Sequence, residues 1–242
     1  IIDALTFVVA GILMQQIGSH RAEGAAHRRT SGLRDFKEGL AYLWTRPGVA
    51  LPASVKAMQQ IGNIDILFAL YALQVFRVGQ DGATTLGTLY AAHGVGSITG
   101  PLIADAIGDR SARYLQRAIT VGYVLIPIGW LIFGLAPALW VAVLAMFIRG
   151  MGGSINWTYS SALLQIRVPG SFLGRVTALD FAFFTLALAI SAWLPGVVQD
   201  AFGVQPRELV IGIAALSLIS LGVWLLASRA QTPPADPVLT VE

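Results

Sequence analysis

The chain contains no cysteine among its 242 residues. Disulfides, thiolate zinc sites and catalytic thiols are therefore excluded, whereas the redox compartment stays open. Charged residues are also scarce: they make up 12% of the chain, against roughly 25% in ordinary globular domains. Hydrophobic residues make up 55%, and the mean hydropathy is +0.69. This composition is typical of a membrane protein.

An initial methionine is also missing, and the sequence opens at Ile1 inside an apolar run. A cleavable signal peptide would begin with a short basic region, which this start lacks. We therefore expect the chain to be a fragment of a longer protein.

Apolar runs of about 20 residues are long enough to cross a bilayer as α-helices, and several of the runs here are longer, which implies tilt. The predicted fold class is an all-α, multi-pass helical bundle. A polar, proline-rich tail at residues 230–242 is expected to be disordered. The predicted spans are residues 1–17, 49–76, 83–107, 115–136, 138–166, 171–198 and 209–227.

Basic residues are concentrated in alternate loops between these spans. Because Lys and Arg are retained on the cytoplasmic side, these loops and the C-terminus are predicted to be cytoplasmic. Only Arg77 and Arg207 lie in the opposite loops. Basic residues spread in this way do not form a nucleic-acid surface, so no nucleic-acid partner is expected. The predicted cytoplasmic set is Arg21, Arg28, Arg29, Arg34, Lys37, Arg46, Arg110, Arg113, Arg117, Arg167, Arg175 and Arg229.

The segment between the first two spans, residues 18–48, includes the stretch SGLRDFKEGLAYLWTRP. Its apolar residues recur at helical spacing, with charged residues between them. This pattern predicts an amphipathic helix at the cytoplasmic interface, ended by Pro47. A solvated linker helix is the alternative.

Ionisable residues inside predicted spans are costly unless they pair or line a wet cavity. Counting about 1.5 Å per residue from the cytoplasmic ends places Lys56 level with Asp180, and Asp65 level with Arg149. We therefore predict an ion pair at each level. Static pairs that serve only assembly are the alternative.

The distribution of these charges also predicts which spans face an interior. Spans 49–76, 138–166 and 171–198 carry them and are expected to face inward, whereas the hydrophobic cores of 115–136 and 209–227 carry none, so these two spans can face lipid. Uncharged polar residues add to the inward-facing set. The predicted substrate or ion site comprises Lys56, Gln59, Asn63, Asp65, Arg149, Asn156 and Asp180.

The stretch HGVGSITGPLIADAIGDR, residues 93–110, contains three closely spaced glycines. A phosphate-binding loop would require a preceding strand and a βαβ unit, and neither is predicted here. Gly94, Gly96 and Gly100 are therefore interpreted as close-packing positions within a membrane helix.

The second part of this stretch carries Gly100, Asp105, Gly108 and Arg110 at a predicted cytoplasmic helix end. It resembles the glycine–aspartate–glycine–basic signature of the major facilitator superfamily. The stretches IIDALTFVVAGILM and RVPGSFLGRVTALDFAFF resemble the enterobactin-exporter-like and macrolide-efflux-like branch of that family. The chain departs from the signature by having Asp109 before Arg110, and by having Ser111 where further basic residues are common.

The resemblance implies an architecture and an activity. Residues 1–17 would be the last helix of a missing N-terminal six-helix half, residues 18–48 a cytoplasmic linker, and residues 49–229 a C-terminal six-helix domain of inverted three-plus-three repeats. It implies a secondary transporter of the plasma membrane, the inner membrane in bacteria, that works by alternating access without a cofactor. Export of a drug-like or siderophore-like molecule, coupled to proton entry, is the leading hypothesis.

The same resemblance implies a cytoplasmic gate at Gly100, Asp105, Gly108 and Arg110, with Arg175 as a possible partner of Asp105. The partners expected are a small-molecule substrate, the proton, the lipid bilayer and the N-terminal half. Buried Asp65 or Asp180 would carry the coupled proton.

Other functions are less favoured. In an uptake symporter of a metabolite or anion, Arg149 would hold the anionic group. A membrane-embedded enzyme is disfavoured because His20, His27 and His93 lie far apart in the sequence and form no metal-ligand motif. A membrane scaffold without transport activity would require the buried charges to be dispensable.

Overall fold

The computed structural model describes residue 13 and residues 32–61, 64–109 and 111–230, without the side chains of residues 64 and 65. Two compact units are present, Ile1–Gly32 and Leu33–Glu242, and the description below concerns the second. Its α-helices are α1 (Gly32–Trp44), α2 (Pro47–Met58), α3 (Ile64–Leu70), α4 (Ala83–Ile107), α5 (Ala112–Leu135), α6 (Leu139–Arg167), α7 (Gly170–Phe202) and α8 (Pro206–Arg229).

The predicted all-helical, multi-pass fold class is confirmed, since the described ranges contain helices and no strand. The helices α5, α6, α7 and α8 are long and apolar enough to cross a membrane by length and composition. The 25-residue α4 matches the predicted span 83–107, and it is about 37 Å long at 1.5 Å per residue. Its glycine, threonine and histidine residues lower its hydropathy, and it is not among those four.

The predicted span 49–76 is not one continuous helix, which corrects the sequence analysis. Helix α2 ends at Met58, a turn and a bend occupy residues 59–61, and α3 begins at Ile64. The sequence between the two helices, QQIGN, includes glycine and asparagine, which are weak helix formers. A π-helical turn, Tyr71–Val75, follows α3.

The end of α2 is held by hydroxyl groups from other helices. The last carbonyl groups of a helix lack an intrahelical partner. Ser220 of α8 donates its hydroxyl to the Met58 carbonyl at 2.9 Å, and Tyr123 of α5 donates at 3.2 Å to the Val55 carbonyl, which also accepts the Gln59 backbone N–H. These bonds fix the end of α2 against α5 and α8.

The α4–α6 interface is formed by close approach of two helix backbones. A Cβ atom added to Gly100 would come within 2.7 Å of the Met151 Cα, and one added to Gly96 would overlap the Phe147 carbonyl. The predicted close packing at Gly96 and Gly100 is therefore confirmed. Gly94 is different, because it is exposed and has no neighbouring atom within 4 Å of an added Cβ.

The α5–α6 interface is equally close. A Cβ on Gly122 would lie 2.7 Å from the Gly152 carbonyl oxygen, and one on Gly129 would lie 2.6 Å from the Arg149 Cβ. Trp130 of α5 is fully buried. The expectation that span 115–136 can face lipid is thus wrong for much of its surface, because small residues allow a helix without charges to pack in the core.

Helix α7 packs against the rest of the chain along only part of its length. Its buried residues are Val176, Leu179, Asp180 and Pro195, although it has 33 residues. Span 171–198 was expected to face an interior. Within this chain, the side of α7 that carries Asp180 does so, and the rest of its surface does not.

Helix α1 docks onto the first turns of α7. Tyr42 stacks on Phe172 with ring centroids 4.6 Å apart, and Asp35 Oδ1 accepts a hydrogen bond from Arg175 Nε at 2.8 Å. The predicted helix is present, but it ends at Trp44, and Pro47 is the first residue of α2. An interfacial position of α1 remains a prediction, and its apolar side chains left exposed are Leu33, Phe36, Leu40 and Trp44.

The predicted first span, apart from Leu13, and the tail at residues 231–242 lie outside the described residues.

Candidate functional site: a polar cavity beside a buried ion pair

A cavity of about 380 Å³ lies between the end of α2 and the helices α4, α6 and α7. Amide, imidazole, hydroxyl and guanidinium groups line part of the cavity, and aromatic and aliphatic side chains line the rest. Its lining residues are Gln59, Gln60, His93, Ser97, Arg149, Gly153, Ser154, Trp157, Phe184 and Leu188.

Helix α6 contributes four of these ten residues, more than any other helix, because three of them recur at four-residue intervals. Arg149, Gly153 and Trp157 are each four residues apart, a spacing that places them on one face of a helix. The close α4–α6 packing brings His93 to the same level, since a Cβ on Gly150 would meet the His93 carbonyl.

Arg149 and His93 form a direct contact at one end of the cavity. Arg149 Nη1 lies 3.1 Å from His93 Nε2. A guanidinium group can only donate, so Nε2 is the acceptor where this contact is a hydrogen bond. Arg149 is 6% exposed, and its guanidinium carbon lies 5.0 Å from the Trp130 ring centroid. The cation is thus stabilised by an aromatic face as well as a nitrogen acceptor.

Lys56 and Asp180 form an ion pair beside the other end of the cavity. Lys56 Nζ donates to Asp180 Oδ2, and the two side chains are 2% and 0% exposed. The predicted proximity of these residues is therefore confirmed. The other oxygen of the carboxylate, Oδ1, receives no hydrogen bond from the described residues.

An aromatic cluster separates this pair from solvent. Lys56 Nζ lies 5.1 Å from the Trp157 ring centroid and 5.2 Å from that of Phe181. Phe184 packs edge-to-face on Trp157 at 5.0 Å. Because Trp157 and Phe184 also line the cavity, the ion pair and the cavity share one aromatic wall.

The other predicted site residues occupy different places. Gln59 lines the cavity and is 7% exposed, and its Oε1 accepts no hydrogen bond in the described chain. Asn156 is fully buried, but it lies at the α5–α6 interface against Gly122 rather than in the cavity wall. Asn63 and the side chain of Asp65 lie outside the described residues, so the Asp65–Arg149 pair remains a prediction.

Of the predicted gate residues, Gly100 lies within α4, Asp105 and Gly108 lie at the end of α4, and none of these three lines the cavity. Gly100 packs on α6, and Gly108 lies under the ring of Tyr114. Tyr114 donates its hydroxyl to the Ala104 carbonyl, so this ring closes the turn. Asp105 is exposed near the end of α4, and Arg110 lies outside the described residues. A gating role for this turn remains a prediction.

Asp109 and Ser111, the two residues that depart from the family signature, form hydrogen bonds that stabilise this turn. The Ser111 backbone N–H donates to Asp109 Oδ1 at 3.0 Å, and this hydrogen bond lowers the pKa of Asp109 below its usual value. Ser111 Oγ in turn accepts the Tyr114 backbone N–H at 3.1 Å and caps α5.

Arg175 has partners that the sequence analysis did not propose. It donates to Asp35 at 2.8 Å and lies 3.5 Å from Glu38 Oε2, both on α1. This corrects its expected partnership with Asp105. The sequence signal for these partners was Asp35 and Glu38, the two acids of α1. Each lies four residues before a position of α1 that packs against α7.

Sequence reasoning also missed His93, Ser97 and Phe184 in the cavity wall. A histidine inside a membrane helix is itself a signal of function. Phe184 gives no such signal, because a phenylalanine in an apolar helix is expected anywhere. Among the described residues, no group of three or more histidines and acids could hold a metal ion.

The chain is similar in sequence to transporters of the major facilitator superfamily. A family model of the major facilitator superfamily, described as "Transmembrane secretion effector", matches residues 38–237. The MFS-type transporter YuxJ of Bacillus subtilis strain 168 is 30% identical over 193 residues, which cover 77% of this chain and 46% of that protein. The MFS-type transporter YhhS of Escherichia coli O157:H7 is 26% identical over 200 residues, covering 82% of this chain and 45% of that protein.

The chain thus spans about half the length of these curated relatives. No solved structure matches the chain significantly.

Proposed function

Because this chain belongs to the major facilitator superfamily, we propose that it forms the C-terminal half of a secondary exporter in the bacterial inner membrane. The substrate would be a drug-like or siderophore-like small molecule, moved by alternating access in exchange for protons. The description of the matching family as a secretion effector supports the outward direction. The N-terminal half, the lipid bilayer and the proton are the proposed partners.

The observation that carries this proposal is the buried Lys56–Asp180 pair beside the cavity. The pair joins α2 to α7, the helix with the fewest buried residues for its length. If α7 moves away during transport, each buried charge loses its partner, at a cost of several kcal/mol per ion. A proton bound by Asp180 would offset this cost. Movement of α7 and proton uptake would then be coupled.

Proton-driven transport in proteoliposomes tests this role. Substrates are first sought by measuring the accumulation of a panel of fluorescent compounds in an efflux-deficient host. We expect Asp180→Asn and Asp65→Asn to abolish pH-driven transport, because neither amide can carry the proton. The control is Asp81→Asn, an exposed loop carboxylate paired with Arg77, which should leave transport unchanged. Intact pH-driven transport in both variants would remove these aspartates as carriers.

The proposed orientation places the α4–α5 turn and the C-terminus in the cytoplasm. Cysteine labelling measures this orientation, and these 242 residues contain no native cysteine that would compete with a single introduced one. Ser111→Cys in the α4–α5 turn should react with an impermeant maleimide only in inside-out vesicles. A cysteine at Gln80 in the α3–α4 loop should react only in right-side-out vesicles, and the reverse pattern would contradict the orientation.

Uptake of an anion is the second candidate, and Arg149 in the cavity wall is the observation that favours it. A proton symporter would alkalinise the outside medium when substrate is added. Acidification under the same conditions would favour export by exchange.

A further inference from the structure

Lys56 is held inside the protein in the way that proteins hold cationic ligands. Its Nζ is bound to one carboxylate, Asp180, and lies about 5 Å from the faces of Trp157 and Phe181. A cation against aromatic faces is the arrangement that recognises ammonium and quaternary ammonium ligands. Lys56 is therefore a cation attached to the chain, and the chemistry of its site would also suit a cationic ligand that is not attached.

The carboxylate of this site has an unused acceptor position. Asp180 is fully buried, and its Oδ1 receives no hydrogen bond from the described residues. An ionised carboxylate can accept up to about four hydrogen bonds, and a buried one left partly unsatisfied is costly. Asp180 can thus accept from a second donor in addition to Lys56 or in place of it.

The site borders the cavity through its aromatic wall. Trp157 lies over Lys56 and also lines the cavity, where Phe184 packs against it. Phe181 and Phe184 belong to α7, which is buried along only a small part of its surface. A shift of α7 therefore opens the wall between the cavity and the ion pair without disrupting the α4–α6 packing.

The geometry points to a binding site for a lipophilic organic cation, such as a protonated amine, which enters from the cavity and replaces Lys56 against Asp180 and the aromatic rings. Arg149 at the opposite end of the cavity repels a cation and so orients the charged group toward Trp157 and Phe184. This inference rests on the proposed function in one respect, that the cavity is the substrate route. During the exchange Asp180 stays ionised and paired with a cation, and it takes up the coupled proton only when it holds neither Lys56 nor the ligand.

Equilibrium binding of tetraphenylphosphonium to the purified full-length protein tests the exchange. Tetraphenylborate, which has the same shape and the opposite charge, is the matched control ligand. In Lys56→Met the tethered competitor is gone, so we expect the phosphonium affinity to rise about tenfold while borate binding does not strengthen. Lys56→Arg retains a tethered cation and should bind phosphonium no more tightly than the wild type.

The carboxylate is tested by Asp180→Asn and by the double variant Lys56→Met/Asp180→Asn. The double variant contains a neutral pair of similar size, so it keeps the experiment decisive if the single variants fold poorly. Both should bind phosphonium at least about tenfold more weakly than the wild type. Unchanged phosphonium affinity in the double variant, or no gain in Lys56→Met, would overturn the inference, as would binding equal to that of empty detergent micelles.

Failure of this inference is distinguishable from failure of the proposed function. Phosphonium binding that depends on Lys56 and Asp180, without export of any compound, would support the site and contradict the exporter. Export that is insensitive to phosphonium, together with binding that ignores both residues, would support the exporter and contradict the site.

Discussion

Helices α5 and α7 are both long and apolar, yet the chain packs them in opposite ways. In the most hydrophobic stretch of α5, 56% of the residues are buried, compared with 6% in α7. The well-buried helix carries no charge in its core, whereas the exposed one carries the buried Asp180. Charge content and burial are therefore separate properties of these helices.

The difference follows from what each helix presents to its neighbours. In a membrane the hydrophobic effect does not drive helices together, so close packing depends on small residues that admit another backbone. Helix α5 has Gly122 and Gly129 against α6, and α4 has Gly96 and Gly100 against the same helix. Gly174 and Gly196 of α7 meet no atom within 4 Å of an added Cβ. The α4–α5–α6 group is thus a tight frame. Helix α7 is attached mainly to α2, through the Lys56–Asp180 pair and the apolar contacts of Val176 and Leu179, and to α1 through its first turns.

The largest effect is expected from removing one partner of the Lys56–Asp180 pair. Lys56→Met should lower the free energy of unfolding by about 3–5 kcal/mol, because a buried carboxylate loses its counter-ion. Adding Asp180→Asn should restore most of the loss, since the pair is then neutral. Thermal unfolding in detergent measures both changes. A double variant less stable than Lys56→Met alone would show that α7 is held by something other than this pair.

A smaller effect is expected from overfilling the frame. Gly122→Ala places a methyl group 2.7 Å from the Gly152 carbonyl oxygen and closer still to Asn156, and overpacking of this kind costs about 1–3 kcal/mol. The matched variant Gly196→Ala on α7 has open space and should be stabilising by up to about 1 kcal/mol through helix propensity. The comparison is measured as a difference in midpoint temperature. Equal losses at the two sites would contradict the distinction between frame and attached helix.

The smallest effect is expected at the contact between α1 and α7. Arg175 and Asp35 are 28% and 33% exposed, so Arg175→Gln should cost only about 0.2–1 kcal/mol and should matter less at high salt. Amide hydrogen exchange in α1 should nevertheless accelerate, because the helix loses its ion pairs to α7. Arg77→Gln removes a more exposed pair with Asp81 and is the control, in which α1 exchange should not change. Unaltered exchange in Arg175→Gln would show that the apolar contacts of α1, which include the Tyr42–Phe172 stacking, hold it without the ion pairs.

Several features were predictable from the sequence for physical reasons that act locally. The span lengths follow from apolar runs, and α4, α6 and α7 begin and end within a few residues of their predicted bounds. The Lys56–Asp180 contact was predictable because the helical rise is fixed, so residue counts give depth. The tight packing of Gly96 and Gly100 was predictable because glycine in a membrane helix has few other roles.

Other features were not predictable from residue counts. Depth does not say which face of a helix meets which neighbour, and His93 was therefore not assigned to the site although it contacts Arg149. Asn156 lies at the expected helix but faces α5 rather than the cavity for the same reason. The break after Met58 was missed because the hydropathy of the run continues through a sequence of low helix propensity.

By itself, the sequence determined that this is an all-helical membrane protein, where most of its helices run, and that Lys56 and Asp180 lie at one depth. Those properties depend on composition and on distance along a single helix. Only the tertiary structure decided that α5 belongs to the core, that α7 stays largely exposed, and that the cavity is bounded by His93, Arg149 and Trp157. Lateral packing in a membrane depends on the fit of small and large side chains between helices distant in sequence, which hydropathy does not record.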